Sequence, residues 1–216
     1  MLKPEVLVNF LKDNHVTFYS GVPDSLLKDF CAYVDDEFPK DNHIIAANEG
    51  AAIGLGIGYH LSSGKTPLIY LQNSGLGNTV NPLLSLASSE VYSIPILLLI
   101  GWRGEPGVKD EPQHIHQGRV TPNLLDAMDI PYIIIDSQMS QDEVLNSIID
   151  QLDICNKEKK PVCVLVRKGT FETYKKKSNE SPHNDLKLER EEAVEIAAKE
   201  CEKDAVIVCT TGMLSR

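Results

Sequence analysis

Hydrophobic residues follow two patterns that alternate along the chain as far as residue 167. Short runs such as IPILLLI and PVCVLV are apolar throughout, which is typical of strands in a sheet that is buried on both faces. Between the runs, apolar residues recur every three or four positions, as on one face of a helix. The alternation predicts an α/β fold with a doubly wound sheet of six parallel strands. The predicted strands are 16–19, 44–47, 67–72, 95–101, 132–136 and 161–167.

The helical segments are interrupted by one long gap. Residues 101–119 show neither the strand pattern nor the helix pattern, so we predict a loop there. A loop of this length in a compact domain is usually functional or disordered. The predicted helices are 4–13, 26–34, a glycine-rich segment after residue 49, about 78–92, 123–128 and 141–155.

Beyond residue 168 the alternation stops. The stretch YKKKSNESPHNDLKLE is polar, so we predict an exposed linker in which the lysine run is solvated. Residues 190–202 then have helical spacing, and 204–209 have the composition of a buried strand, which has no sheet partner in this chain. We therefore predict one domain at 1–170, a linker at 171–189 and the truncated start of a second domain at 190–216.

Composition restricts the partners and the compartment. A chain of 216 residues with 42% hydrophobic content can bury a full core. Its net charge of −10, from 21 basic and 31 acidic side chains, argues against a nucleic acid or an anionic membrane surface as partner. The five cysteines lack CxxC spacing, so we expect free thiols in a reducing compartment. With no signal peptide or membrane-spanning run evident, a cytoplasmic protein is expected.

The segment 44–59, IIAANEGAAIGLGIGY, carries the first candidate for chemistry. Gly50, Gly54 and Gly58 recur at every fourth position, which would let another backbone or a flat ligand approach one helix face. Glu49 lies where the strand passes into that helix, at the edge where open parallel sheets bind ligands. A glutamate is also favoured at any exposed helix start by the helix dipole. On this segment alone, both interpretations stay open.

Two short loops follow other predicted strands. In GVPDS, Asp24 and Ser25 either cap the second helix or contact a ligand. In QNSGLGN, residues 72–78, the glycines permit close backbone approach to a ligand. A phosphate loop is the rival interpretation, but the GK[ST] ending is missing.

The loop 101–119, GWRGEPGVKDEPQHIHQGR, is dense in polar side chains. His114 and His116 are spaced as i and i+2, which could indicate a metal site, although no third ligand is evident. A surface loop with incidental histidines is the alternative. The loop also holds the cations Arg103 and Lys109.

Taken together, NEGAAIGLGIGYHLSSGK, GVPDS, QNSGLGN and GWRGEPGVKDEPQHIHQG resemble the pyrimidine-binding domain of thiamine-diphosphate enzymes, and among these the phosphonopyruvate and sulfopyruvate decarboxylases. The similarity covers about residues 1–170 and resumes at TTGMLSR, which resembles the start of the family's pyrophosphate-binding domain. It implies a flavodoxin-like sheet and, for the enzyme, decarboxylation of 3-phosphonopyruvate to phosphonoacetaldehyde and CO2.

The resemblance also implies roles for individual residues. Glu49 corresponds to the carboxyl group that activates the cofactor by proton exchange, which burial among apolar neighbours favours. His114 or His116 would donate a proton to the reacting carbon after CO2 leaves. The implied cofactor-binding residues are Glu49, Asn73, Ser74, Gly75, Leu76 and Asn78. The implied substrate-binding residues are Asp24, Ser25, Arg103, Lys109 and Gln117, with the cations pairing with the phosphonate or the carboxylate.

The resemblance implies thiamine diphosphate and Mg2+ as cofactors. The family signature for Mg2+ and the diphosphate, GDG with a downstream asparagine, is missing from the sequence. We therefore expect the metal site in a second domain, and no metal ligands in this chain. In the family the two kinds of domain meet across subunits, which implies a homo-oligomer with active sites between subunits and a small anionic 2-oxo acid as substrate.

Two alternatives compete with a phosphonopyruvate decarboxylase. A sulfopyruvate decarboxylase subunit would explain a separate pyrimidine-binding chain, but such a subunit should end near residue 168, before the linker. A non-catalytic flavodoxin-like binding module is the alternative from another class. The presence of Glu49 together with the histidine-containing loop argues against it.

Overall fold

The computed structural model describes residues 1–177, 188–202 and 204–207. The chain divides into two compact units, 1–177 and 178–216. In the second unit a helix spans Arg190–Glu200, close to the prediction, and its first turn is closed by reciprocal hydrogen bonds between Glu189 and Glu192. Residues 204–207 form a turn and an irregular segment instead of the predicted strand, whose last two residues lie outside the described ones.

The first unit contains the whole sheet. Its strands are β1 (Tyr19–Gly21), β2 (His43–Ile45), β3 (Leu68–Gln72), β4 (Leu97–Gly101), β5 (Tyr132–Ile135) and β6 (Val162–Val166). They are all parallel and lie in the order β2-β1-β3-β4-β6-β5, so the predicted six-stranded doubly wound sheet is confirmed. The order reverses between β1 and β3, and such a switch opens a crevice at the carboxyl edge of the sheet.

Helices cover both faces of the sheet, as the apolar strands require. The helices α1 (Pro4–Asp13), α2 (Lys28–Glu37) and α6 (Gln141–Glu158) pack on one face, and α3 (Glu49–Ser63), α4 (Val80–Pro82) and α5 (Pro112–Ala127) on the other. Successive side chains of β4 alternate between the two cores, as strand geometry dictates. No helix in the described part of the chain is long and apolar enough to cross a bilayer.

Two helical predictions were wrong in their bounds. The segment predicted as a loop to residue 119 is helical from Pro112. The residues that α5 buries, Gly118, Thr121 and Leu125, do have helical spacing. The first two are small, so they do not show in the hydrophobic pattern. The helix predicted at about 78–92 is replaced by a 3-10 helix, the single turn α4 and a π-helical turn, followed by irregular turns. Glycine and asparagine at the start of that segment disfavour a regular α-helix. The 3-10 helix is Asn73–Thr79 and the π-helical turn is Leu83–Ala87.

The start of the predicted linker packs against the first unit. Phe171 is buried and pairs with Leu2 in an isolated β-bridge. The backbone N–H of Tyr174 donates to Asp29 at 3.0 Å, and its hydroxyl donates to Asp36 at 3.1 Å. The compact unit therefore extends to residue 177. The lysine run is exposed, as predicted, and two of its members also form surface ion pairs with α2, Lys176 with Asp35 and Lys177 with Glu37.

Candidate active site

The side chains singled out from the sequence lie on segments that leave the carboxyl edge of the sheet. β2 leads into α3 at Glu49, and β3 leads directly into the 3-10 helix that starts at Asn73. β4 ends at Gly101, where the loop to α5 begins. Because all strands are parallel, these segments share the edge at which the β1–β3 switch opens its crevice.

Glu49 is held against the turn that follows β3. It is the half-buried first residue of α3, and the preceding Asn48 caps the helix by accepting from the Ala51 N–H at 2.8 Å. Glu49 Oε2 accepts a hydrogen bond from Asn78 Nδ2 at 2.7 Å. A Cβ atom on Gly75 would lie 2.2 Å from Glu49 Oε1, so any other residue there would displace the carboxyl group from this position. The structure thus brings together three of the predicted cofactor-binding residues.

The end of β3 contacts one of the two histidines. Gln72 Nε2 donates to Ser74 Oγ at 2.7 Å and lies 3.4 Å from Nδ1 of the half-buried His114. Gln72 was not among the predicted site residues, although it begins the QNSGLGN segment. Leu76, predicted to contact the cofactor, is buried in the core on the α3 side of the sheet.

Asn73 clamps the loop that follows β4. Its buried Oδ1 accepts from the Arg103 N–H at 3.0 Å, and its Nδ2 donates to the Arg103 carbonyl and to Thr121 Oγ1, both at 2.9 Å. The Thr121 hydroxyl donates in turn to the carbonyl of Gln117 at 2.6 Å. The Asn73 amide therefore ties the loop after β4 and the middle of α5 to the end of β3.

Asp24 and Ser25 are neighbours that differ in exposure. Asp24 is buried, and its Oδ2 accepts from the backbone N–H groups two and three residues on, at 2.8 and 3.3 Å. Both groups precede α2, which begins at Lys28 without a side-chain cap, so the predicted capping of this helix is wrong and Asp24 closes the turn before it. Burial raises the pKa of Asp24, partly offset by these hydrogen bonds. A Cβ on Gly101 would lie 2.2 Å from Oδ2. Ser25 is exposed, and its Oγ accepts from an Arg103 NH1 group at 2.9 Å.

Arg103 and Asp110 close the loop on itself. Nε of Arg103 donates to Oδ2 of Asp110 at 2.8 Å, and NH2 pairs with Oδ1 in a bidentate ion pair. Asp110 also accepts from two backbone N–H groups at 2.8 Å each. The guanidinium group holds the pKa of Asp110 well below its ordinary range, and the carboxylate raises the pKa of Arg103. Lys109 is exposed beside this pair.

The other predicted residues of the former loop lie on α5. His116 Nδ1 accepts from Arg119 NH2 at 2.8 Å, and both side chains are exposed. Gln117 is exposed as well. The two histidines therefore differ in position, since only His114 approaches the end of β3.

Two glycines that the sequence analysis missed fix the geometry of this region. Gly104 has φ +70°, and a Cβ there would lie 1.8 Å from the His114 carbonyl oxygen. A Cβ on Gly118 would lie 1.8 Å from the Gly104 carbonyl oxygen, and the Gly118 carbonyl accepts from Trp102 Nε1 at 2.8 Å. The glycines of GWRG and HQG were the available signal. They show that loop and helix meet backbone to backbone.

The residues described at 1–177, 188–202 and 204–207 contain no group of three or more His, Cys, Asp or Glu side chains that could hold a metal ion. The geometry instead offers a carboxyl group, amides and a histidine around a glycine-lined turn. Such a donor set suits a neutral nitrogen heterocycle that needs proton exchange.

Comparison with known proteins identifies the class. Residues 4–130 match the family described as thiamine pyrophosphate enzyme, N-terminal TPP binding domain. The chain therefore belongs to this family of thiamine-diphosphate-dependent enzymes.

Within the family, the chain is similar to decarboxylases of the phosphonopyruvate and sulfopyruvate type. Sulfopyruvate decarboxylase subunit alpha of Methanococcus maripaludis is 36% identical over 163 residues, covering 75% of this chain and 92% of the relative. Phosphonopyruvate decarboxylase of Streptomyces viridochromogenes is 41% identical over 120 residues, covering 56% of this chain and 29% of the relative. Sequence identity does not separate the two substrates.

Solved structures show the same fold. The thiamine-diphosphate-dependent 4-hydroxybenzoylformate decarboxylase of Rhodococcus jostii RHA1 superposes with a TM-score of 0.57 at 22% identity, over 77% of this chain and 30% of that one. Benzoylformate decarboxylase of Polynucleobacter necessarius gives a TM-score of 0.56 at 18% identity, over 83% and 32% of the two chains. At these identities the likeness concerns the fold alone.

Proposed function

We propose that this chain supplies the pyrimidine-binding part of a decarboxylase that converts 3-phosphonopyruvate to phosphonoacetaldehyde and CO2. The observation that carries the proposal is the Glu49 carboxyl group, held by Asn78 over Gly75 at the carboxyl edge of the sheet. Thiamine diphosphate, when bound, supplies the electron sink for the pair left by departing CO2. The protein's task is to orient the reactants and to move protons.

The residues around Glu49 fit the pyrimidine ring of this cofactor. A half-buried carboxyl group at the switch crevice can exchange a proton with a ring nitrogen. Asn78 engages Oε2, so Oε1 is the oxygen left for the ring. Gly75 and Ser74 line the approach, while Asn73 and Leu76 support the turn from inside. The family resemblance adds that Mg2+ accompanies the diphosphate in a second domain, and that active sites form between subunits.

His114 is the histidine that we assign to protonate the carbon that has lost CO2. It is half-buried and approaches Gln72 at the end of β3, whereas His116 is exposed on α5 beside Arg119. Histidine suits this step because its protonation equilibrium lies near neutral pH. The assignment predicts that His114→Ala slows product formation far more than His116→Ala does.

The test of the function is Glu49→Gln in the complete enzyme, with saturating thiamine diphosphate and Mg2+. Glutamine keeps the size of the side chain and an oxygen for the Asn78 bond, but it cannot exchange a proton. Turnover of 3-phosphonopyruvate should fall at least about 100-fold, with an unchanged unfolding temperature. Glu90→Gln is the matched control, because Glu90 lies on an exposed turn that is distant from Glu49 in the sequence. Near-wild-type turnover by Glu49→Gln would refute the proposal.

A second candidate is the decarboxylation of sulfopyruvate. It is favoured by the relative from M. maripaludis, of which this chain covers 92%. Both substrates are 2-oxo acids with a tetrahedral anionic group on C3. The ratio of kcat/KM for 3-phosphonopyruvate and 3-sulfopyruvate, measured on one preparation of the complete enzyme, decides between them.

A further inference from the structure

A pocket of about 470 Å3 opens beside Ser25 on the α2 side of the sheet edge. Three basic side chains line it, those of Lys28, Arg103 and Lys168, together with the acids Asp29 and Asp110. We infer that this pocket binds the tetrahedral anionic group on C3 of the substrate, through Ser25, Lys28 and Lys168. The inference rests on the proposed function. The volume of the pocket suits a small ligand.

The charges of the pocket do not cancel locally. Asp110 is already paired with Arg103. Asp29 accepts a hydrogen bond from the backbone N–H of Tyr174 at 3.0 Å. The ammonium groups of Lys28 and Lys168 make no ion pair or hydrogen bond with the described part of the chain, and both side chains are exposed. With Asp29 and Asp110 counted against Lys28, Arg103 and Lys168, the lining keeps one net positive charge, and neither lysine is held in an ion pair with a described carboxylate.

The Ser25 hydroxyl adds a hydrogen-bond donor to the pocket that the two lysines line. Its Oγ accepts from Arg103 NH1 at 2.9 Å, so the guanidinium group occupies a lone pair of the hydroxyl. The hydroxyl hydrogen remains available, and it can donate to an anionic oxygen. The donors come from three places, the loop after β1, the first turn of α2 and the segment after β6. A tetrahedral phosphonate or sulfonate presents three oxygens to such a set.

The net charge of −10 makes local cations necessary for any anionic substrate. From the sequence, Arg103 or Lys109 was predicted to supply the cation. In the structure the Arg103 charge is balanced by Asp110, and Lys109 does not line the pocket. In the sequence, Lys28 looks like any lysine on a helix surface, and Lys168 looks like the start of a linker. The topology places both beside Ser25.

The test uses Lys28→Gln, Lys168→Gln and the double variant in the complete enzyme. Lys65→Gln is the matched control, since Lys65 is an exposed lysine just before β3, at the opposite edge of the sheet. We would measure kcat/KM for 3-phosphonopyruvate, 3-sulfopyruvate and pyruvate, and the binding of unreactive methylphosphonate and methanesulfonate by NMR. Circular dichroism and the unfolding temperature verify that each variant is folded.

Each single variant should lower kcat/KM for the anionic substrate, relative to pyruvate, by at least about tenfold, the loss of one charged hydrogen bond. The anion with the higher wild-type kcat/KM identifies the group as phosphonate or sulfonate. An unchanged ratio in the folded double variant would overturn the inference. If the complete enzyme turns over none of the three acids, the proposed function fails and the binding experiment decides alone. Methylphosphonate or methanesulfonate bound by wild type and lost in the double variant would support the pocket, and equal or absent binding in both would refute it.

Discussion

Replacing Gly75 by alanine tests whether the Glu49 carboxyl group must occupy its observed position. The added Cβ would lie 2.2 Å from Oε1, whereas ordinary van der Waals contact begins at 3.4 Å, so the carboxyl must retreat by about 1.2 Å. That movement would strain or break the 2.7 Å hydrogen bond from Asn78. A misplacement of about 1 Å can cost about 100-fold in rate, which corresponds to about 2.7 kcal/mol in the activation free energy.

The assay is steady-state decarboxylation by the complete enzyme at saturating thiamine diphosphate, together with a titration of the cofactor. Gly77→Ala is the matched control, because a Cβ there would meet nothing within 4 Å. It should retain wild-type kcat, whereas Gly75→Ala should lose about 100-fold in kcat/KM while remaining folded. Equal activity of the two alanine variants would refute the assigned position of Glu49.

Two other substitutions test the loop after β4. Asp110→Asn should be less stable to urea than wild type at pH 7, and the difference should shrink below about pH 4. The sign follows because Arg103 depresses the folded-state pKa of Asp110, so its stabilisation is lost as the pH falls through that pKa; a pH-independent difference would contradict this. Gly104→Ala, whose Cβ would meet the His114 carbonyl at 1.8 Å, should lower the unfolding free energy by more than the roughly 1–2 kcal/mol of left-handed strain alone. Gly107→Ala, with φ +85° and open space, should show only that strain, and equal losses would refute the contact.

The sheet was predictable because each central strand is an uninterrupted apolar run. IPILLLI and PVCVLV become β4 and β6, two neighbouring strands inside the sheet. Element bounds failed where burial is carried by small residues. Gly118 and Thr121 lie on the buried face of α5 but are not hydrophobic. The segment therefore lacks a hydrophobic periodicity and was predicted as a loop. The every-fourth glycines of α3 were similarly ambiguous, since a Cβ on Gly50 would lie 2.8 Å from the Asn78 carbonyl oxygen, whereas Gly54 and Gly58 have open space.

The site was predictable only in part, because sequence shows which residues follow strands but not where side chains turn. Glu49, Gly75 and Asn78 were singled out on separate segments, and the structure brings them into contact. Asp24 and Ser25 were predicted as a pair, but they differ in exposure. Only the buried Asp24 carboxyl group accepts hydrogen bonds from two backbone N–H groups. The pairing of Arg103 with Asp110 depends on a glycine turn that no periodicity reveals.

Arg103 connects the two regions that the proposals describe. Its backbone is held by Asn73 at the end of β3, and its side chain reaches Ser25 in the loop after β1. Arg103 therefore links the turn after β3 to the pocket for which we propose anion binding, and its guanidinium group also pairs with Asp110. Lysine in its place would keep the backbone bonds but could not hold Asp110 and Ser25 at once with fixed geometry. The proposal therefore gives the paired arginine the role of positioning the pocket and gives binding of the anion to Lys28 and Lys168.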